Sequence, residues 1–204
     1  MKILQLLLNP LLLTKKIYGR ILRAYNLYIR KDEFTVEVTR WFRDKGDETL
    51  RLDYPELNEE SIVFDLGGYK GDFAYALNEK YGCTVYVFEP HPKYYDACMQ
   101  RFLSNDKVVP INYGLSDKEG KFLLSDSVDG SSFLNPNLQD KNAIECEVKE
   151  IFSVLRKLEI SNINLMKINI EGGEYPILLH MISEDKISLV DNYQIQFHNF
   201  SENA

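Results

Sequence analysis

Apolar and polar positions change rhythm along this chain at Ser61. From there, short apolar runs alternate with segments of helical spacing, the signature of a parallel sheet built from strand–helix–strand units. The runs predict strands at 62–67 (IVFDLG), 84–89 (TVYVFE), 107–115 (KVVPINYGL), 164–170 (NLMKINI) and 192–200 (NYQIQFHNF). Between them DFAYALNEKYG, PKYYDACMQRFLSN, VKEIFSVLRKLE and EYPILLHMISED read as helices. The first of these stops near Gly82, a glycine just past the last periodic residue. One excursion interrupts the order: KEGKFLLSDSVDGSSFLNPNLQD carries a turn at Glu119-Gly120, a short strand at Phe122–Leu124 and a polar stretch. It predicts a hairpin and loop over the sheet edge, with Ser131, Ser132 and Asn135 offering polar contacts.

Before Ser61 the pattern is different. ILQLLLNPLLL is apolar only from Ile3 to Leu13 and is broken by Pro10, too short for a bilayer span of ~20 residues. The LTKKIYGR that follows lacks the small-residue cleavage site of a secretory signal. Lys2, Lys15, Lys16, Arg20, Arg23, Arg30 and Lys31 are basic, and no acid precedes Asp32. The expectation is a basic, amphipathic helical region over 1–50, followed by the sheet domain over 51–204. That region either packs on an apolar surface, its own or a second subunit's, or lies peripherally on an anionic membrane.

Composition narrows the partners. The 204 residues are 45% hydrophobic, enough to bury the core of one ordinary domain with a short appendage. A net charge of −7 and a pI near 5.1 argue against nucleic acid, whose phosphates demand a surplus of Lys and Arg. Cys83, Cys98 and Cys146 form no CxxC pair, so neither a disulfide framework nor a zinc site is indicated. A reducing, cytoplasmic setting fits them.

Candidate chemistry concentrates at the predicted strand ends, where open parallel sheets bind ligands. The turn after the first strand reads Asp65-Leu66-Gly67-Gly68-Tyr69-Lys70-Gly71-Asp72. Its glycines admit close backbone approach to a ligand, and the following helix start offers free N–H groups. It is not the GxGxxG of a dinucleotide fold, and its two flanking acids oppose a pyrophosphate while suiting a cationic ligand such as S-adenosylmethionine. Glu89 ends the second strand, placed to accept hydrogen bonds from two ribose hydroxyls.

Together VFDLGGYKGD, VYVFEPHP, INYGLSD and LMKINIEGGEYPIL resemble the FkbM family of S-adenosylmethionine-dependent methyltransferases, over about Arg51 to Phe200. The most specific parts are FEP at Phe88–Pro90 and KINIEGGE at Lys167–Glu174. The resemblance implies a Rossmann-like class I methyltransferase fold, a mainly parallel sheet with helices on both faces. It implies a cofactor site lined by Asp65, Gly67, Gly68, Gly71, Glu89, Pro90 and Asn169, with Tyr113, Gly114, Leu115 and Ser116 bordering the adenine. Members are similar to a macrolide O-methyltransferase, and many accompany genes of polysaccharide synthesis, so the implied acceptor is a hydroxyl of a sugar, glycan or related small molecule. The family commonly has Asp where this chain has Asn169. The fold normally continues to a C-terminal antiparallel pair of strands, whereas this chain stops at Ala204; the expectation is either a fragment with an unprotected sheet edge, or an edge covered by a partner or by the N-terminal helices.

Methyl transfer to a hydroxyl needs an aligned acceptor and a base. His198, after a strand with alternating Gln194 and Gln196, is the first candidate for that base, with Glu171 as the alternative. Lys167, Asn169 and Glu171 share one strand face; Lys167 serves either catalysis or an ion pair, with Glu171 as the partner considered. Glu174 reads as a carboxylate at a helix N-terminus. His91 and His180 receive no function. Asn169, Glu171, His198 and Asn199 offer metal-ligating atoms, but their spacing is not diagnostic and no metal is assigned. Two other readings stand beside the methyltransferase: an NAD-linked oxidoreductase, disfavoured by the two acids, and a catalytically inactive binding or scaffold module at a membrane.

Overall fold

Five short runs, the middle ones buried on both faces, build the central sheet. The computed structural model describes residues 10–124 and 143–198, which divide at Asp53 into two compact units. In the unit from Tyr54 onward, β1 (Ile62–Leu66), β2 (Thr84–Phe88), β3 (Val108–Ile111), β7 (Ile163–Ile168) and β8 (Val190–Ile195) form one parallel sheet in the order β3-β2-β1-β7-β8. The chain leaves β1 toward β2 and β3 on one side and returns through β7 and β8 on the other. The carboxyl ends of β1 and β7, in register at Leu66 and Ile168, therefore flank the switch point where loops diverge.

Helices cover both faces, an α/β Rossmann-like arrangement. Phe64, Leu66, Phe88, Met166 and Ile168 turn one face into a buried cluster with Ile151, Phe152, Val154, Leu155, Ile177 and Met181, which lie on α6 (Ile151–Lys157) and α7 (Glu174–Ser183). Alternation points Val63, Asp65, Val85 and Val87 to the other face. Phe73, Ala74 and Leu77 of α4 (Asp72–Tyr81) and Cys98 of α5 (Pro92–Arg101) are buried too. Gly82 stops α4 at φ 66°, its N–H bonded to Asn78 O. All three cysteines are free and buried, and burial pushes the Cys98 thiol up to about 12.

Three local expectations change. The single strand expected over 107–115 is two: β3 stops at Ile111, and β4 (Gly114–Ser116) joins a different sheet. Asn112 breaks the run by donating from its side-chain amide to Glu89 O at 3.1 Å and Pro90 O at 3.3 Å, which draws the chain toward the end of β2. The helix expected from Val148 begins only at Ile151; Val148–Glu150 end strand β6 (Ile144–Glu150), and the Glu150 carboxylate caps the helix by accepting from Phe152 N and Ser153 N. The excursion is a separate three-stranded sheet, β4-β6-β5, in which β5 (Gly120–Leu124) runs antiparallel to β6 and β4 parallel to it. Ser131, Ser132 and Asn135 lie outside the described residues.

The other unit holds α1 (Pro10–Tyr25), a π-helical turn at Asn26–Arg30, α2 (Glu33–Arg43) and α3 (Gly46–Thr49). Asp32 starts α2 by accepting from Thr35 N at 2.9 Å, an N-cap that satisfies one of the helix's orphan donors. Among the described residues, no helix is long and apolar enough to cross a membrane.

Candidate functional site

The glycine turn is held shut by the strands beside it. Gly67 and Gly71 both adopt φ 76°, a region that disfavours any side chain. A Cβ on Gly67 would sit 2.1 Å from Asn169 O, one on Gly68 2.1 Å from Val87 Cγ1, and one on Gly71 2.5 Å from the Phe102 ring. The protein's own packing thus already calls for glycine at these three positions, whatever a ligand adds. Tyr69, between them, takes φ 51°, a strained conformation for a non-glycine.

Buried charge sits under this turn. Lys167 on β7 pairs with Asp65 on β1 at 2.8 Å, and its ammonium also donates to Gly67 O at 2.7 Å and Leu66 O at 3.3 Å. The ion pair considered with Glu171 is made with Asp65 instead, because Lys167 and Asp65 stand opposite each other in the β1–β7 register. Asp72 pairs with Arg101, which also donates to Lys70 O at 2.8 Å. Both acids flanking the turn therefore have cationic partners, so their charge alone does not choose between a cation and a phosphate.

Glu89 ties the turn to the second strand. It is buried, Oε2 accepting from Tyr69 N at 2.7 Å and Oε1 from His91 N at 2.9 Å. Burial raises its carboxyl to about 7 against the pull of those two N–H groups, and neighbouring Asp65 adds to the rise. Pro90 follows it, and His91 caps α5 by accepting from Lys93 N. Tyr113 packs on Phe88 with ring centroids 6.0 Å apart. Gly114, Leu115 and Ser116 are the buried strand β4, in which Ser116 Oγ donates to Asp117.

A second cluster lies past β7 and β8. Asn169 N donates to Leu66 O at 3.1 Å and Gln196 N to Ile168 O at 2.9 Å, so the pairing continues beyond the strands themselves. Glu171 takes φ 54°; burial raises its carboxyl, which His198 opposes and Glu174 reinforces. His198 Nδ1 lies 2.9 Å from Oε1 of fully buried Glu174, and His198 Nε2 lies 3.3 Å from the Gln196 amide nitrogen. His198 is thus near enough to Glu171 to act on its charge, and Asn169, bonded to Leu66 O, ties this end of β7 to the strand that leads into the glycine turn. Lys167 stands apart from that pair, its reach spent under the turn. His180 lies elsewhere, 2.9 Å from Glu150. Asn199 falls outside the described residues.

Glu174 is the residue that sequence reasoning passed over. An acid in the first turn of a helix has a sufficient local explanation in the helix dipole. The signal that distinguishes it is the preceding Gly172-Gly173, a tight turn that lets its carboxylate fold back onto Ile170 N and Gly172 N.

The arrangement fits S-adenosylmethionine on two observations. Each Glu89 oxygen uses one acceptor site on a backbone N–H and keeps another for a ribose hydroxyl. Both Asp65 oxygens are buried beneath the turn without an aligned hydrogen bond, although Lys167 stands at ion-pair distance. The family model of the methyltransferase FkbM domain matches residues 65–203. No curated protein matches the chain.

Proposed function

The chain belongs to the FkbM methyltransferase family, and on that premise we propose that it transfers a methyl group from S-adenosylmethionine to a hydroxyl of a sugar, glycan or related small molecule. The observation that carries this reading is a histidine with a buried carboxylate partner, His198 with Glu174, at the sheet end that also bears the glycine turn. A hydroxyl must lose its proton as it is methylated, which calls for a base at that position. The acid at the end of β2 would serve either cofactor's ribose, so it is family membership that sets the NAD-linked reading aside.

When bound, S-adenosylmethionine supplies a methyl group on a sulfonium whose carbon–sulfur bond breaks as the acceptor's oxygen–carbon bond forms. In this proposal Glu89 holds the ribose, Asp65 and the turn from Gly67 to Gly71 hold the amino-acid end, and Pro90, Asn169 and Tyr113 to Ser116 border the rest. His198 takes the hydroxyl proton, and Glu171 orients the acceptor. Lys167 contributes indirectly, by fixing the turn to β7.

Calorimetric titration with S-adenosylmethionine, followed by tritiated methyl transfer to a panel of mono- and oligosaccharides, tests the reading. Binding and hydroxyl-dependent transfer are expected, with transfer lost in His198→Ala. Absence of cofactor binding would sink the methyltransferase assignment; binding with transfer only to amines or carbon would sink the hydroxyl acceptor.

We also propose that the unit Met1–Asp53 brings this activity to an anionic membrane surface. On α1, Ile17, Tyr18, Ile21, Leu22 and Tyr25 recur at helical spacing on one side and are all exposed, from 44% at Leu22 to 67% at Tyr18. Arg20 and Arg23 fall on the opposite side, the division of an interfacial helix. The scaffold reading shares this surface but leaves the His198 cluster unexplained.

A further inference from the structure

The buried carboxylate of Glu174 has a second partner besides its own turn, and that contact specifies which atom of the base reacts. We infer that Glu174 is a positioning residue that fixes the His198 ring with its proton on Nδ1, leaving Nε2 to take the acceptor's proton. The inference rests on the hydroxyl-methylation reading above.

Glu174 is fully buried at the first position of α7. Its Oε2 accepts from Gly172 N at 2.8 Å; its Oε1 accepts from Ile170 N at 3.1 Å and faces His198 Nδ1 at 2.9 Å. A different rotamer would give up its bonds to Ile170 N and Gly172 N, so the carboxylate acts as a fixed reference for the ring. A carboxylate only accepts, so a hydrogen bond at Nδ1 requires Nδ1–H, and the neutral ring then carries its lone pair on Nε2. The Gln196 amide, 3.3 Å from Nε2, agrees with that assignment, because its N–H₂ can donate to the lone pair until an acceptor hydroxyl displaces it.

Among the described residues, Glu174 from α7 and Glu171 from the turn after β7 are charged groups that face the ring; Gln196, on the ring's own segment, is neutral. As the acceptor oxygen gains the methyl group, its proton passes to Nε2 and the ring becomes an imidazolium. Two carboxylates stabilise that charge where it develops. The imidazolium then loses its proton to solvent, to which 18% of the His198 side chain remains exposed.

The competing outcome is a structural one, in which Glu174 only closes the Ile170–Gly172 turn. The experiment uses the full chain labelled with ¹⁵N-histidine, which contains three histidines, with the His198 signals identified by their loss in His198→Asn. Ring nitrogen shifts in the wild type are expected to show Nδ1 protonated and Nε2 bare. In Glu174→Gln the ring is expected to populate both tautomers. Its kcat for methyl transfer is expected to fall about 10²-fold while the KM for the acceptor holds, and the acidic limb of the pH–rate profile is expected to move to lower pH. Glu174→Asp should restore part of the rate and the Nδ1–H signal. An Nε2–H tautomer in the wild type overturns the inference, as does a Glu174→Gln protein whose tautomer and pH profile are unchanged. If Glu174→Gln does not fold, the wild-type tautomer decides alone. A wild type with the Nδ1–H tautomer and no hydroxyl methylation would overturn the reaction, not the pairing.

Discussion

Glu89 is the residue at which binding and stability pull in opposite directions. Its carboxyl rises from 4.5 to about 7, chiefly through burial. Between those values the folded chain binds more protons than the unfolded one, so the residue's contribution to stability is fully present below 4.5 and is lost as pH climbs to about 7. The difference amounts to about 3 kcal/mol. Chemical denaturation should therefore show this share of stability disappearing between pH 5 and pH 8, and Glu89→Gln should flatten the profile. Ligand hydroxyls donate to the ionised form, so S-adenosylmethionine affinity is expected to weaken below pH 7, by up to about tenfold per unit. Calorimetry at pH 6 and pH 8 checks this, and equal affinities in the wild type would contradict it. Glu89 was legible in the sequence because it ends an apolar run soon after a glycine turn. Glu174 was not, since its link to His198 is made by a helix start and the segment after β8 meeting in space, which no local pattern encodes.

At the scale of elements, the turn after β1 and the end of β7 form one joint. Lys167 reaches under the turn to Gly67 O, and Asn169 O closes over Gly67 from above. Gly67→Ala should cost about 2–4 kcal/mol in urea denaturation, because an unfavourable φ adds to a clash with a backbone carbonyl that cannot swing aside. Gly82→Ala serves as the control: its φ is also positive, but the nearest atom to an added Cβ is 3.6 Å away, so only about 1 kcal/mol is expected. Similar losses at both sites would mean that the joint is not tight. The five parallel strands were readable from their apolar runs. Strand β6 was not, although IECEVKE alternates apolar and charged residues, because it passes into α6 with no turn residue between and its Glu150 serves both elements.

At the scale of the whole molecule, charge divides the chain. Seven cations and no acid occupy the first thirty-one residues of a protein whose net charge is −7. Flotation of the full chain with vesicles containing phosphatidylserine should recover it in the lipid fraction at low salt, less at high salt, and little with neutral vesicles. Removing Met1 to Lys31 should abolish recovery. Equal partitioning of both forms would reject the membrane, and concentration-dependent dimers lost on the same deletion would assign the surface to a second copy.

The small sheet bears on how such a protein diversifies. Leu124 and Ile144 are paired across β5 and β6, so the chain between them departs and returns at a single rung. An insert of another length at this rung leaves the pairing of β5 with β6 in register. Selection, or a library built at this rung, can therefore vary the length and sequence of the insert against one fixed pair of strand ends.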